Sequence, residues 1–148
     1  MKFKSRQLLL QNVIQFYVEI DETRSWFDQV DEAGEVFKQM LMGNGYYTSG
    51  PVLYAYNPEV PDELVIMTTL GNKIKIVGEN DSIIDFVDEL NVVTNYYYRQ
   101  YDTDEEIPYQ QLEAQIREDG NQVKTIYHMV MEFYGETMID LYYDVEEI

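Results

Sequence analysis

Tyr96, Tyr97 and Tyr98 stand side by side in the run VVTNYYYRQYDTDEE, and Tyr101 follows just beyond Arg99 and Gln100. A phenol ring has an apolar body and a hydroxyl that needs a partner when buried, so it suits a half-wet wall. Where such rings converge with a carboxylate, a lipophilic cation can be held by ring quadrupoles plus one counter-charge. Each cation–π contact contributes roughly 0.5–2 kcal/mol, depending on desolvation. Strand alternation puts Tyr97, Arg99 and Tyr101 on one side of this run, and Tyr96, Tyr98 and Gln100 on the other. In VLYAY, Val52, Tyr54 and Tyr56 share a side. In the last strand Ile139, Leu141, Tyr143 and Val145 form the more apolar set, leaving Asp140, Tyr142 and Asp144 opposite. The candidate ligand-binding set is therefore Tyr54, Tyr56, Tyr97, Tyr101, Asp140 and Tyr142, with Asp140 as the counter-charge. The competing explanation is that tyrosine favours strands and these rings serve sheet packing alone.

Other chemistry finds less support. There is no cysteine, which excludes disulfides, zinc–thiolate sites and thiol catalysis, and the single histidine excludes a multi-histidine metal site. His128 sits in TIYHMVMEF, where it alternates with methionines and reads as a hydrogen-bonded sheet residue rather than a general base. Ser25, Ser49 and Ser82 lack a nucleophile-elbow context, and the glycines at 43, 45, 50, 71 and 78 match no phosphate loop. Carboxylates are too numerous for any pair to be singled out. The expectation is a binding protein, not an enzyme, with no cofactor.

Charge sorts the partners. Ten Lys and Arg against 28 Asp and Glu leave a formal net charge of −18. Such a chain repels nucleic-acid backbones and anionic membranes and attracts cations, either small molecules or basic protein surfaces. The opening MKFKSRQLLLQNVIQFYVEID has basic residues before an apolar stretch, but Gln11, Asn12 and Gln15 interrupt it and no small-residue cleavage site follows. It reads as a strand of a cytoplasmic protein, and no run approaches the roughly 20 apolar residues of a membrane helix.

The elements that must position the tyrosines follow from periodicity. IQFYVEI alternates with Ile14, Phe16, Val18 and Ile20 on one face. A helix follows, capped by Asp21, with Trp26, Phe27, Val30, Ala33, Phe37, Met40 and Leu41 on one stripe and its end at Gly43–Gly45. PVLYAY and ELVIMTTL are strands joined by the loop NPEVPD, and NKIKIV extends the second or forms a short strand of its own. DSIIDFVDEL, with Ile83, Phe86, Val87 and Leu90 at helical spacing, predicts a short linking helix. VVTNYYYRQY is then a strand, and PYQQLEAQIREDG a helix with Tyr109, Leu112 and Ile116 inward and Gly120 as its stop. VKTIYHMVMEFY and TMIDLYYDVEE form a hairpin around Gly135. The 148 residues thus predict one α+β domain of two strand–helix–strand–strand repeats, about 8–78 and 91–148. Its antiparallel sheet or sheets should be open, packed or fused side by side, with helices on one face and a cleft between the repeats.

This order, the segment GPVLYAYNPEVPDELVIMTTL and the terminal TMIDLYYDV together resemble the GyrI-like small-molecule-binding domain, found also as the effector domain of multidrug-sensing regulators of the BmrR and Rob types. Gly50, Pro51, Tyr56 and Glu63 fit the family outline of a Gly-Pro, an aromatic strand and an acidic residue opening the next strand. The family's terminal Glu-Ile-Tyr-x-Pro strand, whose Glu helps bind cationic ligands, is matched by Asp140, Leu141, Tyr142, Tyr143 and Asp144. Asp replaces Glu, and Asp144 stands where proline is usual. The resemblance implies a stand-alone domain that binds small aromatic or cationic ligands between its repeats. A further resemblance, to acidic proteins of similar length from low-GC Gram-positive bacteria, some encoded near toxin-secretion genes, implies the alternative. That alternative is an inhibitor, immunity-type or secretion-locus accessory protein that binds a basic protein partner.

Overall fold

The computed structural model describes residues 3–46, 48–72, 84–101 and 105–148, which form six antiparallel strands and two helices. In chain order these are β1 (Lys4–Glu19), α1 (Trp26–Gly43), β2 (Thr48–Tyr56), β3 (Glu63–Leu70), β4 (Ile84–Gln100), α2 (Tyr109–Glu118), β5 (Asn121–Phe133) and β6 (Glu136–Glu147). The strands close into a barrel in the order β1-β3-β2-β5-β6-β4, with β4 returning to β1. The α+β expectation holds at this level, but the sheet is closed rather than open. Long pairing of β1 with β4, and of β2 with β5, joins the two halves of the chain into one closed hydrogen-bonded surface.

Closure gives every strand an inner and an outer face, and both are apolar. Leu8, Val13, Leu53, Ala55, Met67, Val92, Tyr97, Met129 and Tyr142 fill the barrel. Outside, Ile14, Tyr54, Leu64, Ile66 and Leu70 pack beneath Ala33, Phe37 and Leu41 of α1. On the other flank Tyr96, Ile126, Leu141 and Tyr143 pack beneath Leu112 and Ile116 of α2, both fully buried. A Leu or Ile so buried contributes roughly 1.5–3 kcal/mol relative to exposure, which ties each helix firmly to its flank.

Local signals set the joints. The helical backbone begins at Trp26, later than an Asp21 cap would place it, with Ser25 at the N-cap position. Asp21 instead accepts hydrogen bonds from the Thr23 N–H and hydroxyl at 2.9 and 2.7 Å, turning the chain before the helix. The buried Gln29 amide then pins this turn by pairing with both the N–H and the C=O of Asp21, each at 2.7 Å. α1 ends where expected, with Gly45 in the left-handed region at φ 73°. The β5–β6 hairpin turns at Tyr134 and Gly135, whose φ values of 53° and 80° are those of a tight primed turn.

One element differs outright from expectation. Residues 84–90 continue β4 rather than forming a linking helix. The spacing misleads because β1 and β4 change pleat together: Asn12 takes φ 56°, and the register passes from Val13↔Val87 to Gln11↔Glu89 and Leu10↔Leu90. Val87 and Leu90, three residues apart, therefore both pack against the barrel interior, as do Leu10 and Val13. Asp81, Ser82 and Ile83, at the head of DSIIDFVDEL, and all but the first residue of NKIKIV lie outside the described residues. Among the described residues no helix is long and apolar enough to cross a membrane.

Candidate functional site

The inner face carries a row of tyrosines across three adjacent strands: Tyr127 on β5 lies across from Tyr142 on β6, which lies across from Tyr97 on β4. The Tyr97 and Tyr142 ring centroids are 5.1 Å apart. The next inward row is Met129, Asp140 and Arg99. Tyr97, Tyr142 and Asp140 are thus brought together on one wall, as the alternation in their strands required. Tyr101 lies beyond the end of β4, largely exposed, with the Arg99 guanidinium 5.9 Å from its ring.

Asp140 is not a waiting counter-charge. Its carboxylate is 2% exposed and receives Arg99 Nε at 2.6 Å and Nη2 at 2.9 Å, a two-point fork. The Tyr97 phenol also bonds to it. Burial first, and this bond second, push the Tyr97 hydroxyl up to about 12. On the other side of the Tyr97 ring, the Arg6 guanidinium sits 4.4 Å from the centroid. The protein's own arginines therefore occupy the tyrosine-and-carboxylate constellation that the sequence offered to a foreign cation.

Tyr54 and Tyr56 sit on the outer face, not on the wall of Tyr97 and Tyr142. Their cross-strand partners are Ile66 and His128 for Tyr54, and Leu64 and Ile126 for Tyr56. Tyr54 is buried in the α1 flank and stacks on His128 with ring centroids 4.5 Å apart; burial raises its phenol to about 12. His128 Nδ1 lies 3.3 Å from the Tyr54 carbonyl, and Nε2 lies 2.8 Å from the Tyr109 hydroxyl. A carbonyl can only accept, so Nδ1 carries the proton and Nε2 receives the Tyr109 O–H. Desolvation lowers this imidazole to about 4, keeping it neutral.

A second arrangement, which the sequence reading did not assemble, lies on the inner face where β2, β3 and β5 meet. Ala55, Val65, Met67, Gln15 and Tyr127 wall a hollow of about 240 Å³, with Tyr56, Asn57, Val60, Thr125 and Glu63 around its lip. Glu63 is its one charged lining residue. Four further carboxylates act on phenols in or beside the hollow. The Tyr17 hydroxyl, raised first by burial, is raised further by Asp85 and Glu63, and Tyr127, again after burial, by Asp144. Tyr56 is raised by burial and then by Glu113 and Glu22. The phenols around this hollow thus sit in a negative potential while its floor is apolar. Tyr127 was legible, since its alternation with His128 puts it on the face of Met129 and Met131. The position of Glu63 at a barrel mouth carried no local signal. Among the described residues no group of three or more His, Asp or Glu side chains is placed to hold a metal ion.

No protein-family model matches this sequence, and no curated protein matches it significantly. Solved structures do share its fold. The EcmrR C-terminal domain superposes with a TM-score of 0.63 at 12% identity, covering all of both chains. A hydrolase from Listeria innocua gives 0.50 at 11% identity, covering 98% of this chain and 93% of its own. SAV2435 bound to tetraphenylphosphonium gives 0.45 at 12% identity, covering 99% and 94%. At such identities the likeness to the first two establishes a common architecture and nothing further.

Proposed function

We propose that this chain is a small-molecule-binding domain whose ligand is a compact aromatic cation, held at the barrel mouth by Tyr127, Met67 and Tyr56 with Glu63 as counter-charge. The observation that carries this reading is a 240 Å³ hollow that sets Ala55, Val65, Met67 and Tyr127 beside the Gln15 amide and has a carboxylate as its one charged lining residue. Its size selects the ligand. A cavity of about 150 Å³ accepts one benzene ring, so this mouth suits one ring with a quaternary substituent rather than a large polycyclic dye. The net charge of −18 raises the local concentration of any cation around it. The GyrI-like resemblance and the fold shared with the EcmrR C-terminal domain agree with a binding role. The Asp140 face, closed by Arg99, does not enter this reading. For the alternative, an acidic inhibitor or immunity-type protein, net charge alone speaks.

Titration with benzyltrimethylammonium, followed by NMR, tests the assignment. Saturable shifts should centre on Tyr127, Met67 and Tyr56, and benzyl alcohol, which lacks the charge, should bind much more weakly. Equal response to both, or shifts that never saturate at tens of millimolar, would remove the proposal.

A further inference from the structure

Lys4, Arg6 and Arg99 are three of only ten basic residues in a chain with 28 acidic ones, yet all three line one hollow of about 180 Å³ with Tyr97, Tyr98 and Tyr101. β1 and β4 bring them together, Lys4 lying directly across from Tyr97. Among the described residues the carboxylate paired with this group is Asp140, so the hollow keeps a surplus of positive charge inside a strongly negative molecule.

The cations are held rather than loose. Asp140, 1% exposed, fixes Arg99 through Nε and Nη2, and the Tyr101 side chain bonds the same guanidinium. Arg6 rests over the Tyr97 ring at 4.4 Å, and the ring is itself buried in the barrel core. Fixing a guanidinium in advance lowers the ordering cost of meeting an anion, and its planar donors match a carboxylate. Beside them the Tyr101 ring is 68% exposed, which leaves a π face for a flat partner. The volume again limits the guest to about one ring.

We propose that this hollow is a second binding site, for a small aromatic carboxylate. The carboxylate meets Arg6 and Lys4 beside the Arg99 guanidinium, and the ring lies against Tyr101. The molecule's net negative charge does not forbid it. At physiological ionic strength the Debye length is about 8 Å, so the nearest cations outweigh distant carboxylates.

Benzoate, benzamide and benzyltrimethylammonium, each titrated separately at physiological ionic strength and followed by NMR, provide the test. Benzoate should give saturable shifts at Tyr101, Tyr98 and Arg99, and benzamide should bind roughly tenfold more weakly or worse, because it lacks the charge-assisted hydrogen bonds. Lys4 and Arg6 are exposed, so Lys4→Gln and Arg6→Gln keep the fold, which an unchanged Tm confirms. Each should weaken benzoate, and the pair together should abolish it. Benzyltrimethylammonium binding at the Glu63 mouth should persist in both variants, so this proposal and the cation site fail separately. Absence of a saturable benzoate response, equal affinity for benzamide, or unaltered binding in the double variant would each overturn it.

Discussion

Arg99 and Asp140 face each other in the β4–β6 register, and both carboxylate oxygens of Asp140 are taken by the one guanidinium at 2.6 and 2.9 Å. That pairing changes what the tyrosine wall can do. An acid at the heart of three tyrosines attracts a cation only if it is unpaired, and here the adjacent strand supplies the cation covalently. A buried pair of this kind adds little net stability over an apolar pair, but breaking one side of it is costly.

Arg99→Gln should therefore destabilise the protein by roughly 3 kcal/mol, because it leaves Asp140 charged and buried with only Tyr97 to bond it. Arg99→Met combined with Asp140→Leu should recover most of that loss. Urea denaturation of the wild type, the single variant and the double variant measures both. A single variant as stable as the wild type would mean that water or another group already satisfies Asp140.

Glu63→Gln should weaken benzyltrimethylammonium by only about two- to fivefold, since an exposed carboxylate contributes at most about 1 kcal/mol to an ion pair. Tyr127→Leu should weaken it further, because it removes the aromatic face that forms the hollow's wall. If Glu63→Gln cost a hundredfold while Tyr127→Leu cost nothing, the ligand would be held by charge outside the hollow.

His128 sets a pH dependence. Its ordinary value is 6.5 and burial lowers it to about 4 in the folded protein, so the unfolded chain binds the proton more readily. The stability associated with a neutral His128 is thus complete above about pH 6.5 and is lost as pH falls toward 4. For so buried an imidazole the loss amounts to roughly 3 kcal/mol across that window. Relief of carboxylate repulsion acts in the opposite direction over the same range, so the comparison must be with His128→Gln. Between pH 7 and 4.5 the wild type should lose more stability than the variant; parallel curves would show that the imidazole titrates normally.

Much of this architecture was written in the strands themselves. The alternation in TMIDLYYDV separates Ile139, Leu141 and Tyr143, which meet α2, from Asp140 and Tyr142, which face the barrel. The alternation in YYYRQY does the same for Tyr96 and Tyr97. Partnership across strands was not written there, because register depends on both chains of a pair. Arg99 stands in the quoted run, but nothing local says that Asp140, 41 residues away, lies opposite it. Tyr54 and Tyr56 show the same gap: their shared side was legible, but a closed barrel has two apolar faces, and only closure decides which face is outside. Only residues 84–90 of β4 failed to read as strand in the sequence, because a paired change of pleat at Asn12 spaced Val87 and Leu90 as a helix would.

Tyr143 supplies a last test, of the packing beneath α2. Its ring is fully buried among Leu112, Ile116 and Tyr96, and among the described residues its hydroxyl has no hydrogen-bond partner. Burial raises this phenol, and the neighbouring Glu113 and Tyr109 raise it further, so it stays protonated and contributes a desolvated O–H with nothing to receive it. An unpaired buried hydroxyl costs about 1–3 kcal/mol relative to its solvated state. Tyr143→Phe removes the oxygen and keeps the ring, so it should stabilise the protein by roughly 1 kcal/mol, or about 3 °C in Tm for a domain of this size. Glu113, raised by its own partial burial, is the carboxyl that acts on this hydroxyl and the candidate to shift and meet it. If Tyr143→Phe instead lowered Tm, and Glu113→Leu lowered it equally without adding to the first loss, the two groups would be bonded in solution. In that case the core beneath α2 would be a polar pair rather than an apolar contact with one surplus oxygen.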